Sequence, residues 1–104
     1  MTEFVGLRTR LLPGMEDAYE KAHAEVWPEL LAAQREFGIK RYLIFRHGVE
    51  LFHSIECENF EEAVAHLADH PVDKLWQAEM TKYVVPAEYG KGAAVDRLRL
   101  IYHK

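Results

Sequence analysis

The stretch I-K-R-Y-L-I-F-R-H-G-V-E-L-F-H-S-I-E-C, residues 39–57, decides the fold. Residues 39–46 and 51–57 are rich in β-branched and aromatic side chains. The four residues between them, His47, Gly48, Val49 and Glu50, have the length and composition of a hairpin connection, so the two runs are expected to be antiparallel neighbours. Beyond the hairpin, Asn59 with Glu62 three residues later has the form of a capping box. Phe60, Ala63, Val64, Leu67 and Ala68 then give the apolar face of a short helix. His70 and Pro71 restart the chain in a second helix, whose inward stripe reads Val72, Leu75, Trp76, Glu79, Met80 and Tyr83. Pro86 stops that helix, residues 87–94 form a glycine-containing loop long enough to cover something, and residues 95–103 alternate as a final strand.

On the other side of the hairpin, Val5, Leu7, Thr9 and Leu11 alternate with Gly6, Arg8 and Arg10 over residues 4–12, the period of a strand. Pro13 and Gly14 end it. A helix is expected over residues 15–26, with Glu16 and Asp17 in its first turn, where the macrodipole favours negative charge. Trp27 and Pro28 break it, because proline lacks the N–H and its ring clashes with the turn before, yet suits the first turn of a new helix. That continuation, residues 28–37, is expected to bury Leu30, Leu31, Gln34 and Phe37, with Gly38 as a left-handed stop.

The order β-α-(α)-β-β-α-(α)-β gives an α+β fold: the split βαβ, ferredoxin-like plait, an antiparallel sheet with helices on one face. If Leu98, Leu100 and Tyr102 point towards the helices, Arg97, Arg99 and Ile101 share the outer face with Arg8 and Arg10. Those arginines are either solvated or paired with acids of a second copy; chain size, Ile101 and Phe45 favour a homodimer.

The 104 residues, 49% hydrophobic and 29% charged, fit a single domain over residues 1–104. A formal net charge of −4 leaves no broad basic field and argues against a nucleic-acid partner. Cys57, the only cysteine, allows no intrachain disulfide. With no signal-peptide core and no apolar run of membrane-spanning length, a cytoplasmic protein with no membrane association is expected.

The residues able to carry chemistry gather around Y-E-K-A-H-A-E-V-W-P-E-L, residues 19–30. Tyr19 and His23, four apart, share one helical face with Met15, Ala22 and Val26, so a phenol and an imidazole are aimed into the domain. Such a pair is either satisfied by hydrogen bonds within the core or at work. Imidazole exchanges protons near neutrality, which makes His23 the first acid/base candidate. Trp76 is either core or a flat surface for the C–H face of a sugar, and Tyr42 approaches the same pocket if it and Ile44 face the helices. Glu79 on an apolar stripe is a second acid/base or a rim residue reaching water. His66 and His70, also four apart, are two ligands without a third, so no metal site is expected. Phosphate-binding loops and nucleophile elbows are absent.

Y-x-x-x-H-x-x-V-W-P-E-L (residues 19–30), G-I-x-x-Y-x-I-F (38–45) and L-W-Q-A-E-M (75–80) resemble the L-rhamnose mutarotase family along nearly the whole chain. The resemblance implies a dimeric α/β-barrel type of ferredoxin-like assembly and no cofactor. It also implies an isomerase that interconverts the α and β anomers of a monosaccharide. Carried over residue by residue, His23 matches the proton donor and Tyr19 and Tyr42 match substrate-holding tyrosines. Trp76 matches the first of two adjacent tryptophans; Gln77 replaces the second, and Glu79 stands where an aromatic is common. Gln77 and Glu79 therefore make a more polar sugar-binding wall, which opens the choice between L-rhamnose and a related pyranose. Two other readings suit the same fold: a cofactor-free monooxygenase of the dimeric plait, and a noncatalytic sugar-binding module.

Overall fold

The computed structural model describes residues 2–88 and 93–104. Its elements run β1 (Glu3–Arg10), α1 (Glu16–Ala24), α2 (Pro28–Glu36), β2 (Ile39–His47), β3 (Glu50–Cys57), α3 (Phe60–Ala68), α4 (Pro71–Met80) and β4 (Asp96–Leu98). The strands form one sheet in the order β2-β3-β1-β4, each antiparallel to its neighbours. This is the split βαβ, ferredoxin-like arrangement expected from the element order. The hairpin closes through Gly48 at φ 61°, and Gly38 leaves α2 at φ 90°, a conformation that costs glycine little. Asn59 caps α3, its Oδ1 accepting the Glu62 N–H at 3.0 Å. His70 caps α4, its Nδ1 accepting the Val72 N–H at 3.2 Å, which gives that imidazole a structural task.

Val5, Leu11, Leu51, Ile55 and Cys57 lie buried on the inner face of the sheet, under the helices. Leu30 and Ala33 of α2 and Val72, Trp76 and Met80 of α4 close over one half of it. After α4 the chain is laced to the end of β1: the Leu12 N–H donates to the Tyr83 carbonyl and the Val85 N–H to the Arg10 carbonyl, both at 2.8 Å.

Several expectations from periodicity are corrected. Leu31, Val64 and Leu75 are exposed, Leu75 at 64%, as is Ala68. Helices this short turn only a narrow stripe inward, and Ala33, Ala63 and Asp73 occupy it. The last strand is three residues long and its faces are reversed. Leu98 pairs with Gly6 and Asp96 with Arg8 on the outer face, while Arg97 lies on the helix side, its guanidinium 5.2 Å from the Phe60 ring centre. Gly6 explains the reversal: a Cβ there would lie 3.3 Å from that of Leu98, so the absent side chain makes room for leucine. Beyond Leu98 the chain leaves the ladder and exposes Leu100, Ile101 and Tyr102. Alternating apolar residues fit a half-buried strand and an uncovered tail equally well. Arg8 and Arg10 do face outward, yet their partners are Asp96 and Glu50 of the same chain. The expected covering loop, residues 87–94, falls partly outside the described residues.

Candidate active site

Two sets of side chains meet between the sheet and the helices. The helical set begins with Tyr19, buried at 5% exposure. The Nδ1–H of His23 reaches back one turn to the Tyr19 backbone carbonyl at 2.9 Å, and the two rings lie 4.2 Å apart between centres. A carbonyl only accepts, so this bond puts the proton on Nδ1 and makes Nε2 the exchangeable ring nitrogen. Trp76 meets His23 edge to face at 5.3 Å and Trp27 at 5.1 Å. The helix break at Trp27 and Pro28 thus supplies a second indole to the wall. Trp27, Trp76, Glu79 and Tyr83 line a groove of about 520 Å³ between α1 and α4.

The sheet set is a slanted row across three strands. His53, on the inner face of central β3, has Thr9 of β1 on one side and Tyr42 of β2 on the other, both diagonal neighbours. The Thr9 hydroxyl lies 2.9 Å from Nε2 and the Tyr42 hydroxyl 3.0 Å from Nδ1. Both ring nitrogens of a part-buried histidine are therefore engaged.

Electrostatics ties the sets together. Burial, and then the charge of His23, lowers the His53 pKa to about 4, so its ring is neutral near pH 7. Burial pushes the Tyr42 phenol up to about 12, with Asp73 adding to the effect. Tyr19 is raised further for the same reason, with Tyr42 contributing. Asp73 is itself buried at 8% exposure; desolvation raises its carboxyl, while the Gln77 side chain and His70 pull the other way. Charge thus couples Asp73 of α4 to Tyr42, Tyr42 to Tyr19, and His23 of α1 to His53 of the sheet.

Tyr19, His23, Tyr42 and Trp76 are brought together. Gln77 is exposed and acts on Asp73. Glu79 stands at the groove's rim, its carboxylate accepting from the Lys82 ammonium at 2.8 Å and the Tyr83 hydroxyl at 2.6 Å, and these bonds lower its pKa. His66 stacks on Phe37, away from this centre. Among the described residues no three His, Cys, Asp or Glu side chains form a group able to hold a metal.

Thr9, His53 and Asp73 complete the site without standing out in the sequence. His53 carries a readable signal, since the alternation L-F-H-S-I-E-C places it inward with Leu51, Ile55 and Cys57. Asp73 does not, because an acid in the first turn of a helix reads as a macrodipole residue.

A family model described as L-rhamnose mutarotase matches residues 5–104. An L-rhamnose mutarotase of Brucella anthropi is 31% identical over 97% of this chain and 95% of its own length. One of Verminephrobacter eiseniae is 35% identical over 98% of this chain and 96% of its own. Among solved structures, an L-rhamnose mutarotase of Formosa agariphila superposes with a TM-score of 0.82 at 22% identity, covering 98% of each chain. The tetracenomycin F2 cyclase of Streptomyces glaucescens, at 0.70 and 18% identity over 98% of this chain and 96% of its own, shares the fold. The match over residues 5–104 places this chain in the L-rhamnose mutarotase family.

Proposed function

We propose that the protein is an isomerase that interconverts the α and β anomers of L-rhamnose, or of a closely related pyranose, with His23 as the general acid. One observation carries the assignment of His23: its Nδ1 is tied to the Tyr19 carbonyl, which commits Nε2 to proton exchange. Ring opening needs a proton delivered to the ring oxygen while another leaves the anomeric hydroxyl; the open-chain aldehyde then turns and closes from either side. These are proton transfers without a redox step, and one well-placed acid/base contributes about 10²- to 10⁴-fold. Trp76, with Trp27 beside it, offers flat apolar surface to the sugar's C–H face. Tyr19 and Tyr42 frame the acid, Glu79 gives the rim its polarity, and Gln77 acts on Asp73.

The reading includes a homodimer. The outer face of the sheet exposes Phe4, Leu43, Phe45, Phe52 and Leu98. Arg8 and Arg10 of that face are already paired within the chain, and the five exposed apolar side chains give a partner a mainly apolar surface. It also includes a cytoplasmic setting, in keeping with a lone, buried cysteine; among the described residues no helix is long and apolar enough to cross a membrane.

The test is anomer exchange followed by saturation-transfer NMR on L-rhamnose. Wild-type protein is expected to accelerate exchange and His23→Ala to abolish most of the acceleration. A His23→Ala protein exchanging at the wild-type rate removes His23 from the mechanism.

A further inference from the structure

We infer that His53 is a relay residue of this reaction: acting through Tyr42, it takes up the proton that leaves the anomeric hydroxyl while His23 gives one to the ring oxygen. The inference rests on the mutarotase reading of the site. It adds a role for two residues, His53 and Thr9, that touch the sugar only through Tyr42.

The geometry is a continuous path, Thr9 Oγ1 to His53 Nε2 at 2.9 Å and His53 Nδ1 to the Tyr42 hydroxyl at 3.0 Å. A phenol is a far stronger acid than an alcohol. The Tyr42 O–H is therefore the donor to Nδ1, and His53 donates its Nε2–H to Thr9. This arrangement leaves the Tyr42 oxygen with a lone pair for an incoming proton. Thr9 serves as the acceptor that fixes the tautomer.

The protons and electrons balance. His23, as imidazolium, gives its Nε2 proton to the ring oxygen; the bond from that oxygen to the anomeric carbon breaks, and its electron pair stays on oxygen. The anomeric O–H bond breaks in concert, its electrons forming the carbonyl double bond. That proton passes to the Tyr42 oxygen as the Tyr42 proton passes to His53 Nδ1. His23 ends neutral, His53 ends as imidazolium and the sugar is a neutral aldehyde. Closure on either face runs the same transfers backwards.

A weak base suffices here, because the hydroxyl that becomes a carbonyl oxygen turns strongly acidic as the ring oxygen is protonated. The charge of His23 is one of the two causes that hold His53 neutral, after burial itself. The pair is thus disposed to carry one positive charge between them, and the reaction moves that charge from one imidazole to the other. His23, Tyr19, Tyr42 and Asp73 are the titratable groups facing this centre.

Two measurements test the relay. Nitrogen-15 NMR of the histidine rings is expected to show His53 neutral near pH 7, protonated at Nε2 and bare at Nδ1; an Nδ1–H tautomer overturns the proposal. Anomer exchange is then compared across His53→Ala, His53→Gln, Tyr42→Phe and the His53→Ala/Tyr42→Phe double variant. Both His53 variants are expected to lower kcat roughly tenfold or more with KM within about twofold. Glutamine keeps a hydrogen bond to Tyr42 but accepts no proton, so restoration of the rate in His53→Gln overturns the relay and leaves a packing role. The double variant is expected to be no slower than Tyr42→Phe; additive losses also overturn the relay. Wild-type protein that leaves L-rhamnose and related pyranoses alike at their uncatalysed rates sinks the mutarotase reading itself. Exchange that is lost in His23→Ala but intact in His53→Ala sinks the relay alone.

Discussion

Trp27 meets Trp76 edge to face, with ring centres 5.1 Å apart, so the residue at the N-cap of α2 braces the wall built by α4. Trp76 also touches His23, which makes the two indoles and the imidazole one packed unit. Trp27 is about one-third exposed and Trp76 is buried. Trp27→Ala is expected to cost about 1 kcal/mol of stability, the value of an aromatic pair, and to raise KM several-fold with kcat little changed. Trp76→Ala opens a core cavity worth about 3–5 kcal/mol and reports on folding instead. Exchange rates against sugar concentration, with urea midpoints alongside, separate the two effects.

His23 is half-buried and makes one hydrogen bond, so its removal is expected to change stability by about 1 kcal/mol. Catalysis is expected to fall by about 10²- to 10⁴-fold in His23→Ala. A variant with wild-type thermal stability and that loss of exchange fits a chemical role; parallel losses of both would point to packing.

The lowered pKa of His53 makes a prediction about stability against pH. The folded protein holds this ring neutral down to about pH 4, whereas the unfolded chain protonates it at about pH 6.5. Between these values the unfolded state binds more protons, so stability falls as pH drops from about 6.5 to 4 and is independent of this group outside that window. The size is on the order of 3 kcal/mol. Asp73 works in the opposite sense, because its raised carboxyl favours the folded state as pH falls. The comparison is therefore wild type against His53→Gln: urea midpoints at pH 7 and pH 4 should draw closer in the variant.

Asn59→Ala removes the cap of α3 and is expected to cost about 1 kcal/mol. Asn59 lies away from the site, so kcat for anomer exchange should stay at the wild-type value. Loss of exchange in this variant would mean that the site depends on α3 more closely than its packing implies.

The element order, the β2–β3 hairpin, the capped α3, the proline restarts at Pro28 and Pro71, and the inward turn of Tyr19, His23 and Trp76 were legible in the sequence, because each rests on local chemistry. The reversal of β4 was not, since it depends on Gly6 being beneath Leu98, a contact 92 positions apart in the chain. Asp73 was hidden by its helix-start position. The row from Thr9 through His53 to Tyr42 required strand registers on both sides of β3, which periodicity alone does not set.

Phe45 and Phe52 stand directly opposite each other on the outer face of the sheet, both exposed, within the apolar surface proposed for the homodimer. Phe45→Asp places a carboxylate there without touching the inner face, so the monomer fold should survive. In a dimer that carboxylate would be pressed against apolar side chains, at a desolvation cost that contact with Phe52 does not offset. The wild-type chain is expected to sediment as a dimer of the 12.1-kDa protomer at micromolar concentration, and Phe45→Asp as a monomer. Raising the salt should not separate the wild-type dimer, since apolar contact rather than charge pairing holds it. A wild-type chain that sediments as a monomer at these concentrations, or a Phe45→Asp protein that remains dimeric, places the contact elsewhere or removes it.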